Sequence, residues 1–340
     1  MTQDQPARNR RLTTSDYVDG VLAGDRAILA RAITLVESSV PTFMSQAQEV
    51  LQALMPHTGR SIRVGVTGVP GAGKSTLIEA LGLMLVEQGH KVAVLAVDPS
   101  STLSGGSILG DKTRMVSLSR HPSAFIRPSP TRGTLGGVAN ASRETIFLCE
   151  AAGYDIILVE TVGTGQSEVT VRSMVDFLLL VLIAGAGDDL QGMKKGTVEL
   201  ADAIVINKAD GDNVTAAQAT RAEYDRMLHM ARPITPDWSP HAYTCSALTK
   251  EGIPELWDVV QQFVAVTQTN GVFAERRQQQ LTNWLDDLVR QQVLTAFFNH
   301  PDIQHDLSDL RQQVLAGDIT AQVAARLLLR WLNLTPPEKS

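Results

Sequence analysis

A glycine-rich stretch that runs into a lysine and two hydroxyl residues is the most informative segment of this sequence. Its residues are Gly68, Val69, Pro70, Gly71, Ala72, Gly73, Lys74, Ser75 and Thr76. Glycines let consecutive backbone N–H groups point at one phosphate, and a helix start adds a favourable dipole. Because a predicted strand precedes it and a predicted helix follows it, we predict a phosphate-binding loop and not a chance turn. Lys74 would contact the β- and γ-phosphates, and the Ser75 hydroxyl would bind Mg²⁺.

A second motif, Asn207-Lys208-Ala209-Asp210, follows a predicted strand far downstream. The Asp210 carboxylate can accept hydrogen bonds from N1–H and the 2-amino group of guanine, whereas adenine has neither donor. Asn207 and Lys208 are expected to brace the loop and cover the base. The turn at Cys245-Ser246-Ala247-Leu248 is expected to offer a backbone N–H to the guanine O6. Alone, the Asn207–Asp210 motif could equally be a set of solvated charges. Followed in this order by the turn at residues 245–248, it predicts GTP over ATP.

A third motif is an apolar strand that ends in Glu160 and is followed by Gly163. In nucleotide hydrolases an acid at this position holds Mg²⁺ through water, and the glycine N–H contacts the γ-phosphate. Thr164 stands where a glutamine could orient the attacking water, and Gln166 is offset from that position. We therefore expect slow intrinsic hydrolysis that needs an external trigger. A salt bridge at the strand end is the alternative role for Glu160.

Two more carboxylates stand where a loop could meet Mg²⁺ or the attacking water: Asp98 ends a predicted strand, and Asp111 lies in a glycine-containing loop. Both are predicted metal ligands alongside Ser75 and Glu160. The predicted catalytic residues are Lys74, Asp98 and Glu160. Turn formation is an alternative of equal weight for Asp111 and of less weight for Asp98.

Strands and helices alternate through the middle of the chain, which is typical of a doubly wound parallel sheet. Predicted strands cover residues 62–66, 92–97, 156–159, 177–183, 203–206 and 242–245. Predicted helices cover residues 74–88, 138–151, 213–229 and 254–266. Residues 98–137 show little periodicity apart from a short helix near 112–119, and an irregular connection of that length tends to be functional.

Helical periodicity flanks this region on both sides. Apolar residues recur at helical spacing between residues 15 and 37, a further helix is predicted at 41–55, and helices follow Gly271. We predict an α/β fold with a mostly parallel, doubly wound sheet of the P-loop NTPase type and helical extensions at both termini. The predicted parts are an N-terminal helical extension at 1–59, a nucleotide-binding domain at 60–268 and a C-terminal helical dimerisation segment at 269–340.

Composition and charge argue against several classes of protein. The formal net charge of −6 disfavours nucleic-acid binding, which needs a basic face. The longest apolar run, residues 177–186, falls far short of the roughly 20 residues that span a membrane. Cys149 and Cys245 stand far apart and match neither a zinc site nor a disulfide framework. No apolar signal segment follows the N-terminal arginines, so we expect a cytoplasmic protein.

The order of these motifs resembles the MeaB/ArgK-type GTPases, the proteins associated with methylmalonyl-CoA mutase. The resemblance is dense over roughly residues 60–265 and rests on long blocks: VTGVPGAGKST, AVDPSS, SGGSILGDKTRM, VETVGTGQSE, AGAGDDLQGMKKG, INKAD and CSAL. It implies a GTP- and GDP-binding protein that uses Mg²⁺. Positions that match functional residues of the family are Lys74, Ser75, Asp98, Asp111 and Glu160.

The resemblance also implies partners. Members of the family are homodimers to which the C-terminal helices contribute, and they bind an adenosylcobalamin-dependent acyl-CoA mutase. They gate delivery or removal of its cofactor and protect it from inactivation, and the mutase accelerates GTP hydrolysis in turn. Residues 188–195 match the switch that contacts the mutase. Small departures from the family pattern at Arg132 and Thr164 leave the fit to the partner open.

Three other functions compete with this one. An ATP-dependent kinase of an amino-acid transport system is disfavoured by Asp210 and its neighbours. A metal-insertion GTPase needs a cluster of thiols or histidines, and the seven histidines are scattered. A non-catalytic scaffold is disfavoured by the intact Lys74, Ser75 and Glu160.

Overall fold

Seven parallel strands form one sheet in the order β3-β2-β4-β1-β5-β6-β7. The computed structural model describes residues 12–97, 115–128, 135–161, 167–185, 195–230 and 233–332. The strands are β1 Ile62–Gly68, β2 Val92–Val97, β3 Ala124–Arg127, β4 Ile156–Thr161, β5 Phe177–Ile183, β6 Ala203–Asn207 and β7 Ala242–Thr244. The structure confirms the predicted α/β fold with a parallel sheet.

Helices lie before, between and after the strands. They are α1 Thr14–Leu22, α2 Arg26–Val36, α3 Pro41–Leu54, α4 Lys74–Glu87, α5 Val116–Arg120, α6 Leu135–Ala151, α7 Ser167–Arg172, α8 Lys195–Leu200, α9 Val214–Met230, α10 Ile253–Thr269, α11 Val272–Asn299, α12 Pro301–Ala316 and α13 Ala321–Leu329. In the part of the chain that the structure describes, none of them is both long and apolar enough to cross a lipid bilayer.

Both faces of the central strand β1 are covered by helices. Val64 belongs to a core that includes Leu77 of α4 and Phe263 of α10. Gly65 faces the opposite side of the sheet, where a Cβ atom would lie 2.8 Å from Val171 of α7. Strands covered on two faces are apolar at most positions, which explains the apolar runs in β2, in β5 and in β4 as far as Val159.

Strand β3 and the short helices α7 and α8 are elements that the sequence analysis did not predict. The four residues of β3, Ala124–Arg127, lie inside the stretch predicted to be irregular, and β3 pairs with β2 alone at one edge of the sheet. A strand this short shows no measurable periodicity. Arg127 at its end forms an ion pair with Glu37, so the strand joins the N-terminal helices to the sheet.

The chain divides into two units, residues 1–277 and 278–340. A small apolar core formed by Phe297, Ile303 and Leu328 stabilises the second unit. The domain boundaries at residues 59 and 268 that the sequence suggests stay predictions.

Buried charged residues form a hydrogen-bonded network at the amino ends of the strands, at the opposite end of the sheet from the glycine-rich loop. The Asp176 carboxylate accepts hydrogen bonds from Arg63 N at 2.8 Å and from Arg277 Nε and Nη2 at 2.8 and 2.7 Å. Arg277 also donates to the carbonyl oxygens of Gly59 and Ser61, each at 2.6 Å. The start of α11 is thereby fixed to the sheet.

Asp202, just before β6, is the second centre of this network. Its carboxylate accepts from Arg172 Nη1 at 2.5 Å, from Leu178 N at 2.9 Å and from Thr235 Oγ1 at 2.9 Å. Arg276 Nη1 lies 3.8 Å from the same carboxylate. Since Arg172 is the last residue of α7, the network fixes the carboxyl end of that helix.

Glu150 of α6 completes the network. Its carboxylate accepts from Arg63 Nε at 2.9 Å, from Ser61 Oγ at 2.5 Å and from Gly59 N at 2.8 Å. Burial alone would raise the pKa of Glu150, but the Arg63 charge and these hydrogen bonds together lower it. A lowered pKa means that the ionised carboxylate stabilises the fold.

We predict that Glu150→Gln lowers the free energy of unfolding by about 3–5 kcal/mol at neutral pH, because the buried Arg63 loses its counter-charge. Urea denaturation measures the change. The advantage of the wild type should be full above about pH 4.3 and shrink as pH falls through the lowered folded pKa. Asp287→Asn is the matched control, since it breaks an exposed pair with Arg290. Equal losses in both variants would contradict the prediction.

Candidate nucleotide-binding site

Three strands bring the predicted site residues together at the carboxyl edge of the sheet. Strand β1 leads into the glycine-rich loop, β4 carries Glu160, and β6 ends at Asn207. Parallel strands end at the same edge, which is where ligands bind in doubly wound folds.

The glycine-rich loop needs glycine at two positions for different reasons. A Cβ atom on Gly68 would lie 2.0 Å from the carbonyl oxygen of Val181, so only glycine lets β1 approach β5 at that point. Gly73 has a φ of 87° and caps α4, and a Cβ there would lie 2.6 Å from Asn207 Nδ2. Of the remaining loop residues, Ala72 is buried, Val69 is half-buried, and Pro70, Gly71 and Thr76 are exposed.

Lys74, the first residue of α4, folds back over the loop. Its Nζ donates to the carbonyl oxygens of Gly68 at 2.8 Å and Val69 at 3.2 Å, and the residue is only 9% exposed. The loop therefore holds a buried ammonium group at the helix start, where a phosphate is also favoured.

Ser75 and Glu160 form the oxygen-rich part of the site. Ser75 Oγ donates to Glu160 Oε1 at 2.8 Å, and Glu160 is 4% exposed. A hydroxyl beside a carboxylate suits Mg²⁺, which prefers hard oxygen ligands and keeps several waters. Within the described ranges no group of three or more His, Cys, Asp or Glu side chains could hold a metal ion. Asp98, Asp111 and Gly163 lie outside the described residues.

Asn207 links the glycine-rich loop to the turn after β7. Its Nδ2 donates to the carbonyl oxygen of Ala72 at 2.8 Å, and its Oδ1 accepts from Ala247 N at 3.1 Å. The Cys245 thiol lies 3.5 Å from the same Oδ1, and burial raises the pKa of that thiol to about 12, so it stays protonated as a donor. The side-chain amide of Asn207 therefore positions two loops at once.

The loop that carries Lys208 and Asp210 has its own internal support. Lys208 adopts a left-handed φ of 59°, and Asn213 Nδ2 donates to its carbonyl oxygen at 2.7 Å. The Asp210 carboxylate accepts a hydrogen bond from Ser246 Oγ. Leu248, at the end of that turn, is 79% exposed. These contacts orient Asp210 while Lys208 and Leu248 stay accessible.

Sequence reasoning missed one contact beside the site. Thr161 Oγ1 donates to Thr67 Oγ1 at 3.0 Å, next to Glu160 on one strand and Gly68 on the other. Thr67 lies in the block VTGVPGAGKST and Thr161 in the block VETVGTGQSE, but neither block indicates their contact, which follows from the pairing of β4 with β1.

Comparison with known proteins decides the family. A family model described as "Methylmalonyl Co-A mutase-associated GTPase MeaB" matches residues 29–302. The chain belongs to this family. The resemblance drawn from the sequence motifs is thereby confirmed, and with it the general assignment as a GTPase of the P-loop type.

Relatives of this MeaB-type chain match over most of its length. A probable GTPase of Mycobacterium tuberculosis is 52% identical over 324 residues, which cover 94% of this chain and 96% of that protein. The mitochondrial methylmalonic aciduria type A homolog of Mus musculus is 47% identical over 321 residues, which cover 92% of this chain and 77% of that protein. A crystal structure described as an LAO/AO transport system kinase has a TM-score of 0.78 and 39% identity, and covers 96% of this chain and 100% of that one.

We predict that Asn207→Asp weakens guanine-nucleotide binding by roughly tenfold or more, because a carboxylate oxygen would replace the donor to the Ala72 carbonyl. Fluorescent GDP titration measures the affinity, and thermal melting shows whether the variant is folded. Asn270→Asp makes the same chemical change at an exposed side chain between α10 and α11, which donates to Asp237, and should have little effect on GDP affinity. Equal losses in the two folded variants would contradict the bracing role.

Proposed function

We propose that this chain is a GTP-hydrolysing chaperone of an adenosylcobalamin-dependent acyl-CoA mutase of the methylmalonyl-CoA mutase type. In this proposal it gates cofactor loading and protects the mutase. The supporting observation is the convergence of Lys74, the Ser75–Glu160 pair and Asn207 at one sheet edge. The chain that carries this site belongs to a family described as mutase-associated GTPases.

The proposed site holds the phosphates through the loop amides and the Lys74 ammonium group. Lys74 would exchange the neutral carbonyls of Gly68 and Val69 for charged phosphate oxygens, a stronger type of hydrogen bond. Ser75 and Glu160 would hold Mg²⁺, which neutralises charge on the transferred phosphoryl group.

The rest of the proposed phosphate machinery comes from segments outside the described residues. Asp98 and Asp111 would complete the Mg²⁺ site, with Asp98 catalytic beside Lys74 and Glu160. Gly163 would contact the γ-phosphate through its N–H.

Guanine specificity is proposed for Asp210. Its carboxylate receives a hydrogen bond from Ser246 and can accept two more from the base edge of guanine. A bound adenine would supply neither of these further donors, which is unfavourable for a desolvated carboxylate. Asn207 and Lys208 would brace the loop and cover the base. The turn at Ala247 and Leu248 would offer a backbone N–H to the guanine O6.

The partner is proposed to supply the trigger for hydrolysis. The sequence has Thr164 where a water-orienting glutamine would stand, so the intrinsic rate should be slow. Thr164, Gln166, Arg132 and residues 188–194, most of the segment that matches the mutase-contacting switch, lie outside the described residues.

A homodimer is proposed from an exposed apolar stripe along α11. Along this helix an apolar stripe recurs every fourth residue and is 46–59% exposed: Leu281, Leu285, Val289 and Val293. An exposed apolar stripe on a long helix is typical of an interface. A second copy of the chain is the proposed occupant. The cytoplasmic location stays a prediction.

The alternative function is an ATP-dependent kinase of an amino-acid transport system, because a solved relative is described as a transport-system kinase. That function needs ATP, and the Asp210 loop favours guanine. Nucleotide preference therefore separates the two functions.

We predict that wild-type protein binds GTP in preference to ATP, and that Asp210→Asn weakens GTP binding by tenfold or more. Loss of a charged acceptor for N1–H and the 2-amino group is worth about 1.5–3 kcal/mol. The same variant should gain affinity for xanthosine triphosphate, whose 2-oxo group can accept from the new amide. Calorimetric titration measures all three ligands, with the exposed Asp212→Asn as control. Equal affinity of the wild type for ATP and GTP would contradict the guanine assignment.

We predict that Leu285→Glu converts the dimer into a monomer, because a charge would be placed in the buried interface. Light scattering after size-exclusion chromatography measures the mass. Arg290→Glu changes the charge on another face of the same helix and should leave the mass unchanged. A wild type that is already monomeric at micromolar concentration would refute the proposed dimer.

A further inference from the structure

The Thr67–Thr161 hydrogen bond lies where the backbone pairing of β1 with β4 ends. Register pairs run as far as Val66 opposite Glu160. Beyond that point β1 stays paired with β5, up to Gly68 opposite Val181, and turns into the glycine-rich loop. The hydroxyl pair continues the link between β1 and β4 by one more residue.

The end of β4 is thus held on each side by a different kind of bond. On the β2 side, backbone pairing continues to Val97 opposite Thr161. On the β1 side, Thr161 Oγ1 donates to Thr67 Oγ1 at 3.0 Å. The two threonines are 1% and 0% exposed, so no water competes for the bond.

Neighbouring residues of a strand point to opposite faces of the sheet. Glu160 accepts from Ser75 of α4 on one face, and Thr161 bonds Thr67 on the other. The two contacts hold the backbone that carries the Glu160 carboxylate from both sides.

We propose that Thr161 is a positioning residue for the metal site, acting through Thr67. Its hydroxyl fixes the end of β4 against the strand that leads into the glycine-rich loop, and so sets the distance between Glu160 and Ser75. This inference rests on the proposed function, in which those two side chains hold Mg²⁺. In this proposal Thr161 acts through Thr67 and is not itself a ligand of the nucleotide or the metal.

A valine at either position has nearly the shape of threonine but lacks the hydroxyl. A single replacement leaves the partner hydroxyl buried and unsatisfied, which destabilises the protein. Replacing both threonines by valine removes both polar groups and should restore much of the stability. The double variant therefore separates the stability of the fold from the placement of Glu160.

The experiment compares Thr161→Val, Thr161→Ser and the double variant Thr67→Val/Thr161→Val. Retention of a fluorescent, non-hydrolysable GTP analogue is measured as a function of Mg²⁺ concentration, and thermal melting is measured without nucleotide. Thr267→Val is the matched control, because Thr267 is buried in α10 and donates to the Phe263 carbonyl at 2.7 Å, away from the site.

We expect Thr161→Val to need about three to ten times more Mg²⁺ for half-maximal retention, as the net loss of one hydrogen bond implies. Thr161→Ser and Thr267→Val should stay near the wild-type value. The double variant should regain melting temperature but keep the higher Mg²⁺ requirement.

Three results would overturn the inference. Thr161→Val could need no more Mg²⁺ than the wild type, or Thr161→Ser could need as much Mg²⁺ as Thr161→Val. The double variant could also need only as much Mg²⁺ as the wild type. A wild type without Mg²⁺-dependent nucleotide binding would contradict the proposed function as well.

Discussion

The parallel pairing of β1 with β4 on one side and β5 on the other is the constraint on which the site depends. It places the glycine-rich loop beside the strand that ends in Glu160, so that α4 can deliver Ser75 to that carboxylate. It also requires Gly68, because β1 approaches the Val181 carbonyl too closely for a side chain. The Asn207 amide then joins the loop to the turn after β7.

The two ends of the sheet use polar groups differently. At the amino end, Asp176, Asp202 and Glu150 are neutralised by buried arginines, and those charges need no ligand. At the carboxyl end, Lys74 is held by backbone carbonyls, which are weaker partners than phosphate oxygens. In the proposed function, Lys74 exchanges these carbonyl partners for phosphate oxygens when a nucleotide binds.

The sequence predicts the long buried strands and the glycine-rich loop, but not the contacts that depend on strand order. A long buried strand such as β5 is recognised by its uninterrupted apolar residues, and the loop is recognised by the spacing of its glycines. Strand β3 is too short to show a period. The Thr67–Thr161 bond and the contact of Asn207 with Ala72 depend on which strands become neighbours, and local sequence does not encode that order. The contacts of the residues between β2 and α5, Asp98 and Asp111 among them, stay predictions.

The decisive measurement is phosphate release from GTP by the purified protein, alone and with an adenosylcobalamin-dependent acyl-CoA mutase, with ATP as a parallel substrate. A GTPase chaperone of that enzyme should release phosphate slowly from GTP alone and clearly faster with the mutase, with no comparable release from ATP. Release from ATP as fast as from GTP, or a rate from GTP that the mutase leaves unchanged, would contradict a GTPase chaperone of that enzyme.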